Sequence, residues 1–195
     1  MLRFIGFYDY TVILTYLSLV SAVLGMMFSS QGNFTAAVLC LLVSGICDAF
    51  DGTVARTKKD RTEDEKAFGI QLDSLCDVVS FGVFPAFLCY CMGVKGIVGV
   101  GILCGYCVCA VIRLAFFNVL EGKRQKTEGG CNKEYRGLPV TSISMVLPVV
   151  YGLKFLLSKA VFTAVLHVVM AAVAFLFVLD FRMKKPNIQK ILSKS

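Results

Sequence analysis

Six apolar stretches, each long enough to cross a bilayer as a helix, leave this chain few ways to fold. They cover residues 9–29, 34–56, 67–92, 97–120, 139–157 and 160–181 of 195, and a helix needs about 20 residues to span roughly 30 Å of hydrocarbon. The stretches are continuously apolar, whereas barrel strands would alternate apolar and polar side chains over about ten residues. With 57% hydrophobic residues and a mean hydropathy of +0.75, a water-soluble fold of this size has no interior large enough to hide them. The sequence predicts an all-α integral membrane protein with a bundle of six transmembrane helices, and a single domain over residues 1–195 with no internal repeat. The first stretch reads as a membrane helix rather than a removable signal, because it is long, lacks a small-residue cleavage site and is followed by five more.

A net charge of +7 in a soluble protein would suggest a nucleic-acid partner, but here the basic residues sort by membrane side and no such partner is expected. With the N-terminus inside, Arg3, Arg56, Lys58, Lys59, Arg61, Lys66, Lys123, Arg124, Lys126, Lys133, Arg136 and the basic tail from Arg182 fall on one side. Only Lys95, Lys154 and Lys159 fall on the other. The basic side is therefore cytoplasmic, and so are both termini. It carries a 57–66 linker, read as a solvated loop, a 121–138 loop and the tail. Eight of the nine cysteines lie inside the stretches and Cys131 in a loop, a pattern of small buried hydrophobes rather than a disulfide framework. Cys104, Cys107 and Cys109 have no histidine beside them to complete a zinc site. His167 reads as a lone neutral histidine bonded to a neighbouring helix.

Four carboxylates sit where hydrocarbon should be. Each costs roughly 2.5–3.5 kcal/mol on insertion scales, so Asp48, Asp51, Asp73 and Asp77 need a partner or a function. On a helix Asp48 and Asp51 lie about 60° apart, with Gly52 and Ala55 beside them. Gly69, Asp73, Asp77 and Ser80 follow at i, i+4, i+8 and i+11 and form a second stripe about 80° wide. If the stripes face each other, the four carboxylates repel unless cations bridge them. Oxygen-only ligands suit hard ions such as Mg²⁺ or Mn²⁺, and a two-ion site is the natural solution. Gly52, Ala55 and Gly69 leave room either for close helix packing or for a ligand. Arg56, at the boundary, either grips a phosphate or snorkels to the interface.

The pattern Asp48-x-x-Asp51-Gly52-x-x-Ala55-Arg56, followed by Gly69-x-x-x-Asp73-x-x-x-Asp77, resembles the signature of the CDP-alcohol phosphotransferase family, with a longer linker at 57–68 than is usual there. The resemblance implies a six-helix, dimeric membrane enzyme that takes a CDP-linked lipid and passes its phosphoryl-lipid part to an alcohol, releasing CMP. By position, Asp48, Asp51 and Asp73 would hold the metals. Asp77 would complete the second metal site and act as general base, and Gly52, Ala55, Arg56 and Gly69 would cradle the cytidine diphosphate.

Three further stretches, 72–86, Ile112–Val119 and Tyr135–Thr141, resemble the branch of that family whose acceptor is L-serine and whose donor is CDP-diacylglycerol, although Phe116 stands where many relatives carry a second basic residue. Arg113, Asn118 and Arg136 are the candidates for acceptor recognition. Arg113 is equally readable as half of a structural ion pair, and the turn at Gly137–Pro139 as an ordinary turn. Tyr10, Thr11 and Thr15 loosely resemble a polar patch of the nucleotide pocket. Two other readings remain at this level. The same chemistry with glycerol 3-phosphate or inositol phosphate would need extra cations such as Arg113 and Arg136. A cation transporter would explain the carboxylates but not Gly52, Ala55, Arg56 and Gly69.

Overall fold

The computed structural model describes residues 6–7, 10–55, 57–58, 60, 62–126 and 134–184. Five helical segments are long and apolar enough to cross a membrane: Tyr10–Ser30, Phe34–Val54, Glu63–Met92, Gly96–Leu120 and Lys159–Val178. A sixth, Val140–Phe155, is apolar but shorter. The expected six-helix count therefore holds only approximately. Helix α6 (Ile143–Gly152) carries Pro148 in its interior and is flanked by 3-10 turns at Val140–Ser142 and Leu153–Phe155, as the missing N–H of a proline favours.

The other helices are α1 (Ile13–Ser30), α2 (Phe34–Ala55), α3 (Glu63–Asp77), α4 (Phe84–Met92), α5 (Gly96–Lys126) and α7 (Lys159–Val178). A tight turn joins α1 to α2, with Gly32 at φ 77° and the Asn33 side chain accepting from the Ala36 N–H at 3.2 Å. The two helices lie side by side, α5 packs on α7, and α6 rests on α2. Glycines set two of these approaches. A Cβ on Gly25 would collide with the Phe84 ring and one on Gly45 with the Ser144 side chain, so small residues let the backbones close up where lipid supplies no hydrophobic drive. The centre is filled by Phe81, Phe84, Leu88, Tyr106, Leu147, Leu166, Met170 and Phe177, all 2% exposed or less. Large apolar side chains such as Ile97, Val98, Val168 and Phe175 point outward, which is where a bilayer would meet them.

Two expected loops are shorter than predicted. Residues Glu63–Lys66 of the charged linker are already helical: Thr62 accepts from the Glu65 N–H and Glu65 from the Thr62 N–H, and three acidic residues occupy the first turn. That capping box and the helix dipole start α3 before the apolar stretch begins. Likewise α5 runs to Lys126, beyond its membrane span and into the predicted 121–138 loop. Strands β1 (Glu134–Arg136) and β2 (Arg182–Lys184), antiparallel with Arg136 opposite Arg182, form a small ribbon that the sequence pattern did not suggest. His167 bonds through Nδ1 to the Thr163 carbonyl of its own helix at 2.7 Å, not to a neighbouring helix.

Candidate metal centre

Helices α2 and α3 bring carboxylates to one place. One oxygen from each of Asp48, Asp73 and Asp77 lies within 4.8 Å of the others. Asp77 is 8% exposed, and Asp73 Oδ1 is buried with no hydrogen-bond partner among the described residues. Asp51 lies outside this trio but faces Asp73, as Asp48 faces Asp77, and it accepts a hydrogen bond from Thr15 Oγ1 at 3.2 Å. A buried carboxylate oxygen with no donor, among neighbours that can only accept, fits a hard cation that takes oxygen ligands.

Three helices hold the cluster at its base. One turn deeper than Thr15, Asp48 and Asp77 stand Ser18, Ser44 and Ser80, all buried. Ser18 Oγ lies 2.7 Å from Ser44 Oγ and donates to Ser80 Oγ at 3.5 Å, while Ser44 Oγ donates to the Ser18 carbonyl at 3.2 Å. Hydroxyls that satisfy one another in an apolar bundle fix α1, α2 and the segment after α3 against each other, because sliding would strand them.

That segment is the largest departure from regular spacing. Residues Val78–Val83, directly after Asp77, form a π-helix, in which the Phe84 N–H donates to the carbonyl of Val79 five residues back. The cause lies at Pro85, whose ring in a straight α-helix would clash with the carbonyl of Phe81 and has no N–H to give it. The wider turn makes room. The Phe81 carbonyl accepts instead from the buried Tyr106 hydroxyl at 2.6 Å, and Cys107 Sγ reaches the Gly82 carbonyl at 3.5 Å. The inserted residue rotates everything after it by about 100° relative to α-helical spacing, so Ser80 does not extend the Asp73–Asp77 stripe as straight helical counting predicts.

The remaining candidates are placed as follows. Gly52 is exposed beside Asp51, and Gly69 is half-buried one turn before Asp73. Ala55 ends α2 and Arg136 lies in β1, but their side chains, like all of Arg56, fall outside the described residues. Asn118 accepts from Ser74 Oγ at 2.7 Å. Ser74 follows Asp73 and precedes Asp77 by one turn, so Asn118 is tied to the cluster helix. Arg113 goes elsewhere. Buried at 7% exposure, it donates from Nε to the Leu138 carbonyl at 3.1 Å, and its charge faces Asp180, where the turn before α6 meets the end of α7. Gly137, at φ 71°, lets the chain pass against the guanidinium. Tyr10 pairs with Thr57 across the α2–α3 turn at 3.1 Å, and the Phe7 ring packs on Phe68, so the N-terminal segment borders this end. Thr15 and Ser74 are the polar neighbours that sequence reasoning underrated or missed. Their only signal was a hydroxyl one or two helical turns from a site residue on an otherwise apolar face.

The profile of the family described as CDP-alcohol phosphatidyltransferase matches residues 10–179. The chain belongs to that family. It is 36% identical over 141 residues to an archaetidylserine synthase of Methanothermobacter thermautotrophicus, covering 71% of this chain and 56% of that protein. It is 32% identical over 158 residues to a CDP-diacylglycerol–serine O-phosphatidyltransferase of Saccharomyces cerevisiae (77% and 55%), and 38% identical over 93 residues to one of Bacillus subtilis (47% and 50%). The chain spans about half the length of these curated relatives, and no solved structure matches it. Membership of a transferase family leaves the transporter reading without support, and the apolar helices place the family member in a membrane.

Proposed function

We propose that this chain transfers the phosphatidyl group of CDP-diacylglycerol to the hydroxyl of L-serine, giving phosphatidylserine and CMP, as a single membrane-embedded domain working as a homodimer. The observation that carries the proposal is the meeting of Asp48, Asp73 and Asp77 at the end of the bundle nearer the α2–α3 linker, in a chain whose relatives bear serine-transferase names.

Asp48, Asp51, Asp73 and Asp77 are proposed to hold two Mg²⁺ or Mn²⁺ ions. When bound, such ions neutralise the diphosphate and favour departure of CMP. The protein's own part is to orient. Gly52, Ala55, Arg56 and Gly69 border the cytidine diphosphate, and the lipid tails stay in the bilayer beside the outward apolar faces. Asp77 accepts the proton of the serine hydroxyl as that oxygen bonds to the lipid-bearing phosphorus and the phosphoanhydride bond breaks. Asn118, held by Ser74 one turn from Asp77, lies where the amino-acid part of the acceptor would trail, and Arg136 is the second acceptor candidate. Arg113, engaged with Leu138 and near Asp180, is better suited to fixing the turn before α6. That leaves fewer cations for glycerol 3-phosphate or inositol phosphate and favours serine. The excess of Lys and Arg beside the linker supports a cytoplasmic orientation for the site and both termini.

The test is CMP release by the purified chain with CDP-diacylglycerol and Mn²⁺ or Mg²⁺, comparing serine, glycerol 3-phosphate, inositol phosphate and no acceptor. Serine-dependent release that EDTA stops is expected. Release with another acceptor alone would overturn the acceptor assignment.

A further inference from the structure

At the end of the bundle away from the carboxylates, a cavity of about 270 Å³ opens between Phe34, Met92, Tyr151, Lys154, Leu157, Lys159 and Phe162. Its walls are apolar apart from two lysines and a phenol, and no acidic residue lines it. Lys154 is held in place: Nζ donates to Tyr151 Oη at 2.5 Å and sits over the Tyr151 and Phe155 rings. Tyr151 in turn pairs with Thr35 Oγ1 at 3.0 Å, which ties this turn to the start of α2.

The depth of this cavity follows from helix length. The segment Val140–Phe155 rises only about 25 Å, against roughly 30 Å of hydrocarbon, so the turn after it stops short of the membrane surface. The turn itself agrees, since Phe155 and Leu156 are 80% and 82% exposed, a surface that is stable in lipid and costly in water. Two ammonium groups are thereby kept at the level of lipid phosphates, beside a slot that suits an acyl chain. A short helix bordered by a shallow membrane defect draws in a lipid to fill the gap, and basic pockets between helices select anionic head groups.

We propose that this cavity binds an anionic phospholipid of the leaflet opposite the carboxylate cluster, its phosphate between Lys154 and Lys159 and an acyl chain against Phe34, Met92 and Phe162. The site is separate from the proposed donor pocket: Thr35 stands about 20 Å along α2 from Asp48 at 1.5 Å per residue. It does not depend on which acceptor the enzyme uses.

Native mass spectrometry of the full chain in detergent, titrated with phosphatidylglycerol, phosphatidylcholine or inorganic phosphate, tests the proposal. Wild-type protein is expected to retain phosphatidylglycerol in preference to phosphatidylcholine. Lys154→Gln and Lys159→Gln are each expected to weaken that retention about fivefold, whereas Lys95→Gln, at the same end but outside the cavity, leaves it unchanged. The paired arginine variants, Lys154→Arg with Lys159→Arg, restore binding, and the melting temperature of each variant in detergent alone shows that it is folded. Equal retention by wild type and the folded double glutamine variant would overturn the site. Equal retention of phosphatidylcholine would overturn its selectivity for anions, and full competition by millimolar inorganic phosphate would overturn its assignment to a lipid.

Discussion

Helix α2 and the continuous run from α3 through α4 each deliver two aspartates to the same cluster, but they do so in different ways. Helix α2 is regular and peripheral: Leu39, Val43, Ile46 and Phe50 form an exposed apolar stripe, while Leu41, Ser44 and Asp48 turn inward. The α3–α4 run is central, with Ser74, Cys76, Asp77, Ser80, Phe81, Phe84 and Leu88 all buried, and it is broken by the π-turn that Pro85 imposes. A peripheral helix can carry a site by periodicity alone. A central one must also satisfy neighbours on every side, and here the backbone itself is reshaped one residue after Asp77.

The largest expected effect tests whether the central helix carries the chemistry. Asp77→Asn is expected to lower CMP release by about 10²–10⁴-fold, the usual range for a lost general base, with the protein still extracted and monodisperse. Near wild-type turnover would remove Asp77 from that role.

Next come the metal positions, one from each helix. Asp48→Asn and Asp73→Asn are each expected to raise the Mn²⁺ concentration needed for half-maximal activity by at least about tenfold. Because each variant also removes one of several mutually repelling carboxylates, both should melt above wild type in EDTA and gain less from added Mn²⁺. Lower melting in EDTA would show that the carboxylates are not held in repulsion.

A smaller effect probes the reshaped backbone. Tyr106→Phe leaves the buried Phe81 carbonyl without its partner and is expected to cost about 1–3 kcal/mol in stability. Turnover should fall more than the matched packing change Leu88→Val, which lies further from Asp77, would produce. Equal loss of turnover in the two variants at equal stability would separate the π-turn from the site.

The smallest concerns the peripheral helix. Thr15→Val removes the hydroxyl on Asp51 and is expected to raise the Mn²⁺ requirement about two- to fivefold, on the scale of a single hydrogen bond to a charged group, without changing the melting temperature in EDTA.

Much was legible before any coordinates. The apolar stretches could only be membrane helices, because hydrocarbon offers backbone groups no partner. Four aspartates within them had to be reconciled with that medium, and their spacing carried the family signature. Other features were hidden because they depend on partners far away in the chain. Thr15 gains meaning only when α1 lies against Asp51, Ser74 only when α5 brings Asn118 to it, and Arg113 only when Leu138 and Asp180 close around it. The length of the sixth span was misread for a local reason, since hydropathy counts apolar residues and does not register the 3-10 turns around Pro148.

The sequence by itself therefore determined the medium, the helical class and the residues that carry charge into it, since each follows from the cost of placing a side chain or a peptide group in hydrocarbon. Only the tertiary structure decided which carboxylate oxygens meet, that Asp73 keeps one of them without a donor, and that the helix widens after Asp77. Those outcomes depend on which surfaces pack together, and neither composition nor periodicity encodes the distance between residues on different helices.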